Sequence, residues 1–138
     1  MKATDEYIIT VRNEQSANDM CDTVTETGKG TFRSKDGICY LTYRTDSTKV
    51  LIRASEDEVR IKRTGDAASE ITYRPGRRSY FEYKTAYGTF AMSVFTAFVR
   101  TDAKEGTIRL GYTLETNGDE INNEVTITTR GINKWQKN

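Results

Sequence analysis

The chain has 138 residues, which is enough for one domain with its own core and too short for several. Its 21 basic and 20 acidic side chains leave a net charge of +1, so composition gives no general electrostatic reason to bind nucleic acid or a membrane surface. With no histidine and only two cysteines, the sequence excludes Ser-His-Asp and Cys-His catalysis, His-based zinc sites and Cys₄ sites, and we expect no metal or cofactor.

Apolar and polar residues alternate with a period of two along most of the chain, which is typical of antiparallel strands with one buried face. Short turn sequences, such as Pro75-Gly76 and Asn117-Gly118, separate the alternating runs. The pattern predicts strands at residues 5–14, 22–33, 37–44, 49–54, 58–63, 69–74, 77–85, 89–101, 107–116 and 121–130.

The connections between these strands are as short as hairpin loops, which decides between a sandwich and a barrel. A Greek-key sandwich needs some long crossovers, and closure of a meander removes its unpaired edges. We therefore predict one all-β domain over residues 1–138, a closed antiparallel up-and-down barrel of 8–10 strands with a polar tail at 131–138. Trp135 in that tail either plugs one end of the barrel or belongs to a frayed terminus.

The cellular compartment is predicted from the N-terminus and the thiols. No apolar run follows the polar first six residues, so we expect no secretory signal, and the apolar run at 90–99 is shorter than the ~20 residues of a membrane-spanning helix. The hairpin predicted near residues 35–37 sets Cys21 and Cys39 too far apart for a disulfide, and we interpret both as packing residues. These features predict a cytoplasmic protein.

The same alternation predicts which polar side chains face the barrel lumen. Arg63 shares the parity of Val59 and Ile61, for example. A cation, hydroxyls and flat rings at one end of a lumen would suit a small anionic or amphipathic ligand. Alternatively, the side chains fill the barrel, and the arginines reach water at its rim. The predicted lumen residues are Arg63, Tyr83, Thr85, Tyr87, Thr96, Arg100 and Tyr112.

Two further interpretations concern charged residues on predicted strands. Glu70, Glu82 and Glu115 are candidates for an acid–base pair, although most charged strand residues face water. One hairpin also interleaves basic and stacking residues, as single-strand nucleic-acid binders do, with a solvated hairpin as the default. This hairpin cluster comprises Tyr73, Arg74, Arg77, Arg78, Tyr80, Phe81 and Tyr83.

Four segments resemble motifs of the bacterial YwiB-like proteins. Residues 83–96 are similar to that family's "Tyr-x-Thr-Pro-Tyr-Gly … Thr" segment, and residues 61–65 to its "Arg-x-Gly" turn. Residues 110–118 resemble its "Tyr-x-Leu … Asn-Gly" hairpin, and residues 36–43 its "Gly-x-Tyr-x-Leu-x-Tyr" strand. Ala86 stands where the family commonly has proline, which leaves the bend before Tyr87-Gly88 less rigidly set.

The resemblance spans roughly residues 5–130 and implies a lipocalin-like calycin barrel in a bacterial cytoplasm. It implies no known activity, so it assigns no catalytic residue. Three hypotheses follow: a noncatalytic barrel that binds a small apolar or anionic molecule, a filled barrel that acts as a structural or homodimerising module, and, less favoured, an enzyme that uses lumen carboxylates or tyrosines. Neither a membrane nor nucleic acid is an expected partner.

Overall fold

The computed structural model describes residues 6–132, which form ten β-strands joined by turns. Within this range no helix is long and apolar enough to cross a membrane. The strands are β1 (Tyr7–Ala17), β2 (Met20–Lys35), β3 (Ile38–Arg44), β4 (Thr48–Ala54), β5 (Val59–Gly65), β6 (Ser69–Tyr73), β7 (Arg78–Thr85), β8 (Gly88–Asp102), β9 (Thr107–Thr116) and β10 (Asp119–Gly131).

The strands form a single antiparallel sheet that curls into a nearly closed barrel. Apart from β6 and β7, each strand pairs with its neighbour in the chain, and β10 pairs with β1 from Tyr7↔Gly131 onward. β6 and β7 lie side by side, but within the described residues their backbone pairing is a single bridge, at which Ala68, just before β6, and Lys84 exchange two backbone hydrogen bonds of 2.8 Å. The predicted all-β, up-and-down barrel is therefore confirmed, with a seam between β6 and β7.

The first hairpin extends further than the sequence predicted. Pairing continues to Ala17↔Met20, across a turn in which Asn18 and Asp19 both have positive φ, 48° and 67°. Two successive positive φ values are the geometry of a type I′ turn, which Asn and Asp tolerate. The alternation did not show this extension because the apolar residues near the turn, Ala17, Met20 and Cys21, do not alternate with polar ones.

One end of the barrel is packed with aliphatic side chains. Turns of an up-and-down meander fall alternately at two ends, and the packed end is the one that carries the β2–β3, β4–β5, β6–β7 and β8–β9 turns. We call it the filled end. Ile9, Leu41, Ile108 and Ile127 are at most 1% exposed there. Cys39 belongs to this core, and burial raises the pKa of its thiol to about 11.

The other end, which we call the open end, carries the β1–β2, β3–β4, β5–β6, β7–β8 and β9–β10 turns. Cys21 is exposed on the first of these hairpins and, like Cys39, is a free thiol. The alternative roles predicted for Trp135 lie outside the described residues.

Candidate functional site

The open end contains a cavity of about 580 Å³, a volume in the range of small-molecule sites. Its floor is apolar, formed by buried side chains where it meets the filled end. Its walls are the inward-facing residues of neighbouring strands. The floor comprises Tyr73, Val94, Leu110 and Val125, and the apolar wall residues include Ile61, Ile71, Phe81, Met92 and Leu114.

A carboxylate, a guanidinium and a phenol meet beside this cavity. The Tyr43 hydroxyl donates a hydrogen bond to Glu26 Oε1 at 2.7 Å. Arg63 reaches both carboxylate oxygens, with its NH2 3.0 Å from Oε1 and its NH1 3.4 Å from Oε2. Glu26 and Arg63 both line the cavity and are about a third exposed, with side-chain exposures of 30% and 34%.

The backbone explains how residues of β2, β3 and β5 come together. Tyr43 on β3 and Arg63 on β5 both lie opposite Val50 of β4. Their side chains therefore lie on the inner face of the sheet, on either side of β4. A Cβ atom at Gly28 would lie 2.8 Å from the ring of Tyr43. Glycine therefore leaves the space through which the Tyr43 ring extends along β2 to Glu26.

The pKa of each member of this cluster shifts for identifiable reasons. Burial alone would raise the pKa of Glu26, but hydrogen bonds from Tyr43 and Arg63 and the charge of Arg63 lower it. Burial and the hydrogen bond to Glu26 raise the pKa of Tyr43. For Arg63, burial alone would lower the pKa, but hydrogen bonds and charge interactions with Glu26 and Tyr43 together raise it. At neutral pH the cluster is therefore an ion pair held by a neutral phenol.

Two further polar features line the cavity. The rings of Tyr73 and Tyr112 pack with centroids 4.8 Å apart, and burial raises the pKa of both phenols. On the neighbouring strands β1 and β10, the side-chain amides of Asn13 and Gln15 each donate to Asn123 Oδ1 at 3.1 Å. Asn123 is 5% exposed and donates in turn to the Ile121 carbonyl, so this amide group ties β1 to β10 at the open end.

Three of the seven predicted lumen residues, Arg63, Tyr83 and Tyr112, line the cavity. Thr85 and Tyr87 do not, because Thr85 is the last residue of β7 and Tyr87 belongs to the β7–β8 turn, where the chain leaves the barrel. There Thr85 Oγ1 accepts from the Tyr87 amide at 3.0 Å and donates to the Gly88 carbonyl. The Tyr87 side chain is 94% exposed. Their predicted lumen position is therefore wrong.

Thr96 and Arg100 also lie outside the cavity. A bulge between Thr96 and Phe98 shifts the register of β8 against β9 by one residue. Thr96 before the bulge is fully buried, and after it Val99 takes the inward position. Arg100 consequently faces outward over the Phe98 ring, 5.2 Å from its centroid. The prediction for Arg100 was wrong because it continued the alternation through the bulge.

The predicted carboxylate pair does not form. Glu70 and Glu82 are exposed. Glu115 lies on the outer face and accepts hydrogen bonds from Arg78 at 2.8 and 3.0 Å and from Ser93 at 2.6 Å. The bonds from Arg78 and Ser93 lower the pKa of Glu115 to about 2.

The lumen carboxylate that sequence reasoning missed is Glu26. Its parity on β2 matches Gly28, Gly30 and the partly buried Phe32, which could have indicated an inward position. The hairpin cluster is likewise divided by parity. Tyr73, Phe81 and Tyr83 line the lumen, whereas the arginines and Tyr80 are exposed. The stacking and basic residues of this hairpin therefore lie mainly on opposite faces.

Comparison with known proteins places this barrel in a family. Residues 9–127 match the family described as "Domain of unknown function (DUF1934)". The chain belongs to that family. A crystal structure of the ywiB protein from Bacillus subtilis has the same fold, with a TM-score of 0.78 and 20% sequence identity over 94% of this chain and 93% of that one. The predicted YwiB-like relationship is thus confirmed. No curated protein matches the sequence.

Proposed function

We propose that this DUF1934 chain is a noncatalytic binding protein whose barrel holds one small amphipathic molecule in the open end. The observation that carries the proposal is the cavity of about 580 Å³, with an apolar floor and one charged cluster at its wall. Ligand sites combine these features, because apolar surface supplies affinity and a few polar groups fix orientation.

The geometry suggests how such a molecule lies. Its apolar body would cover the floor at Val94 and Leu110, and its polar group would approach Arg63. A guanidinium has five N–H donors, and Glu26 accepts from two of its nitrogens. The remaining donors can serve a carboxylate, phosphate or carbonyl oxygen of the ligand.

The same cluster favours binding over catalysis. A general acid or base works best with a pKa near the operating pH. Arg63 and Tyr43 instead lower the pKa of Glu26, and burial raises the pKa of Tyr43. Both groups are held in the protonation state that stabilises their own hydrogen bonds. This supports a recognition role for Arg63 and a positioning role for Glu26.

The hypothesis of a completely filled interior has less support, because side chains leave the open end unfilled. Homodimerisation through a barrel face and a cytoplasmic location stay predictions, as does the grouping with calycins. Native mass spectrometry of gently purified protein would report a bound small molecule and the oligomeric state together.

A cavity-filling variant tests the proposal directly. Met92 lines the cavity, and its neighbour Ala91 is exposed on the outside of the same strand. With 8-anilinonaphthalene-1-sulfonate as the probe, we expect Met92→Trp to weaken binding by roughly tenfold or more, since an indole occupies the space the probe needs. Ala91→Trp, the matched control, should bind like the wild type.

Cooperative thermal unfolding of both variants would establish that they are folded. Equal probe affinity in the two tryptophan variants would refute binding in the lumen. Absence of probe binding to the folded wild type would count against the proposal in the same way.

A further inference from the structure

The outer face of β2–β5 concentrates positive charge although the whole chain is nearly neutral. Alternation along these strands places one basic residue after another on the outside, opposite the inward-facing residues of the core. We call this face the basic wall. It comprises Lys29, Arg33, Arg44, Lys49, Arg53, Arg60 and Lys62.

The register of the sheet sets like charges directly opposite each other. Lys29 opposes Arg44, which opposes Lys49 on the next strand. Arg53 opposes Arg60 in the same way. Like charges at opposed positions of adjacent strands destabilise a sheet. Nothing in the fold requires this repulsion, because these side chains point away from the core.

Carboxylates neutralise the remaining outer surface but hardly reach the basic wall. Ion pairs join Arg12 to Glu14 on β1, Arg78 to Glu115 across β7 and β9, and Arg109 to Glu124 across β9 and β10. On the basic wall, Arg60 pairs with Glu58 and Lys62 is directly opposite Glu70 on β6, while the other five cations neither pair with nor oppose a carboxylate within residues 6–132. The net charge of +1 hides this separation of charge.

The spacing of the cations suits a chain of phosphates. Alternate residues of a strand lie about 6.6 Å apart and neighbouring strands about 4.8 Å apart. This grid is comparable to the spacing of successive phosphates in an extended nucleic-acid strand. The wall is the outside of a barrel and hence convex, so a flexible single strand can follow it more closely than a rigid duplex can.

An aromatic ring lies within the grid. Tyr40 is directly opposed by Arg33 on one side and Arg53 on the other, and the Arg33 guanidinium is 5.3 Å from its ring centroid. Proteins that bind single strands combine a basic surface with rings on which bases stack. A membrane surface fits less well, because Leu51 is the one large apolar residue of this wall that is exposed, at 37%.

We propose that the basic wall binds single-stranded nucleic acid, with its lysines and arginines on the phosphates and Tyr40 stacked on a base. This inference is independent of the proposed lumen ligand, since the wall residues face away from the cavity.

The test is fluorescence anisotropy of a labelled oligouridine, about 20 nucleotides long, over a range of salt concentrations. Lys29→Gln, Arg44→Gln and Lys49→Gln together should weaken binding at least tenfold. The slope of log affinity against log salt concentration should also become less steep by about 2, since each of the three lost phosphate contacts on a single strand contributes roughly 0.7 to that slope. Removing opposed like charges should leave the Tm unchanged or higher.

A second triple variant is the matched control for charge. Arg77→Gln, Arg100→Gln and Lys104→Gln remove three exposed cations from the β6–β7 turn, β8 and the β8–β9 turn, away from the basic wall. Its affinity and salt slope should stay near the wild-type values. Tyr40→Leu should weaken binding at least fivefold without changing the salt slope, because it removes stacking and no charge.

Three results would overturn the proposal. One is an equal loss of affinity in the two triple variants. Another is no binding of the oligonucleotide by the wild type at about 50 mM salt, a concentration at which electrostatic contacts are strong. The third is binding to vesicles that contain phosphatidylserine without binding to the oligonucleotide, which would assign the wall to an anionic membrane.

Discussion

The two ends of the barrel use the same strands and the same alternation but differ in what occupies the lumen. At the filled end, inward positions hold aliphatic side chains such as Leu41 and Ile108, which exclude water. At the open end, β2 contributes Glu26 and Gly28, and β5 contributes Arg63. A barrel of ten strands is wide enough to hold more than side chains. The comparison shows that residue volume and charge decide which part of one lumen becomes core and which stays open.

Alanine substitutions at two leucines test this difference, and we expect them to give the largest change in the free energy of unfolding. Leu41 is 1% exposed at the filled end, whereas Leu114 lines the cavity and is partly buried. Leu41→Ala should lower the free energy of unfolding by about 3 kcal/mol, because it opens a void in close-packed surroundings. Leu114→Ala should cost about 1 kcal/mol, since it enlarges a space that already exists.

Urea denaturation of the two alanine variants, with equal m-values, provides the measurement. Losses of similar size would mean that the open end is as tightly packed as the filled end. The proposed distinction between the two ends would then fail.

A smaller effect should come from the ion pair that occupies the open end in place of core. Arg63→Met leaves Glu26 with the hydrogen bond from Tyr43 alone and should cost about 1–2 kcal/mol, a value reduced because both side chains are about a third exposed. Adding Glu26→Gln removes the unpaired charge, so the double variant should be more stable than the sum of the single effects by about 1 kcal/mol.

A double-mutant cycle measured by chemical denaturation gives this coupling free energy. Strict additivity would show that the pair does not stabilise the open end. If Arg63 also contacts the ligand, folded Arg63→Met protein should co-purify with less small molecule than the wild type does.

The smallest expected effect is on how the free energy of unfolding changes with pH in acid, where a carboxylate on the outer surface can be compared with the one in the lumen. The folded-state pKa of Glu115, about 2, is below the ordinary value of 4.5. Stabilisation by its pairing with Arg78 is therefore fully present above about pH 4.5 and lost as pH falls toward 2. Between these values Glu115→Gln should reduce the protons taken up on unfolding by roughly one.

The uptake follows from the slope of the unfolding free energy against pH. Glu82→Gln, at an exposed carboxyl of β7 with no ion pair in the described part of the chain, is the control and should give a smaller change. A wild-type slope in Glu115→Gln would contradict the assigned pairing. The same measurement on Glu26→Gln should also flatten the slope below pH 4.5, because the pKa of Glu26 is lowered too.

Prediction from sequence succeeded where alternation was regular and failed where the backbone departed from it. Arg63 and Tyr112 are on strands whose apolar neighbours fix the parity, and both line the cavity as predicted. Arg100 follows a bulge that no apolar pattern marks, and Tyr87 lies on a turn beyond the barrel. Glu26 went unnoticed because the inward face of its strand carries Gly28 and Gly30 where a buried face usually shows aliphatic residues.

The sequence by itself determined the strands, their turns and the up-and-down order, because a period of two and short connections depend on neighbouring residues alone. Only the tertiary structure decided which residues of distant strands meet. Register brought Glu26, Tyr43 and Arg63 together inside the barrel and aligned Lys29, Arg44 and Lys49 outside it. Such contacts depend on strand pairing, which is a collective property of the closed sheet.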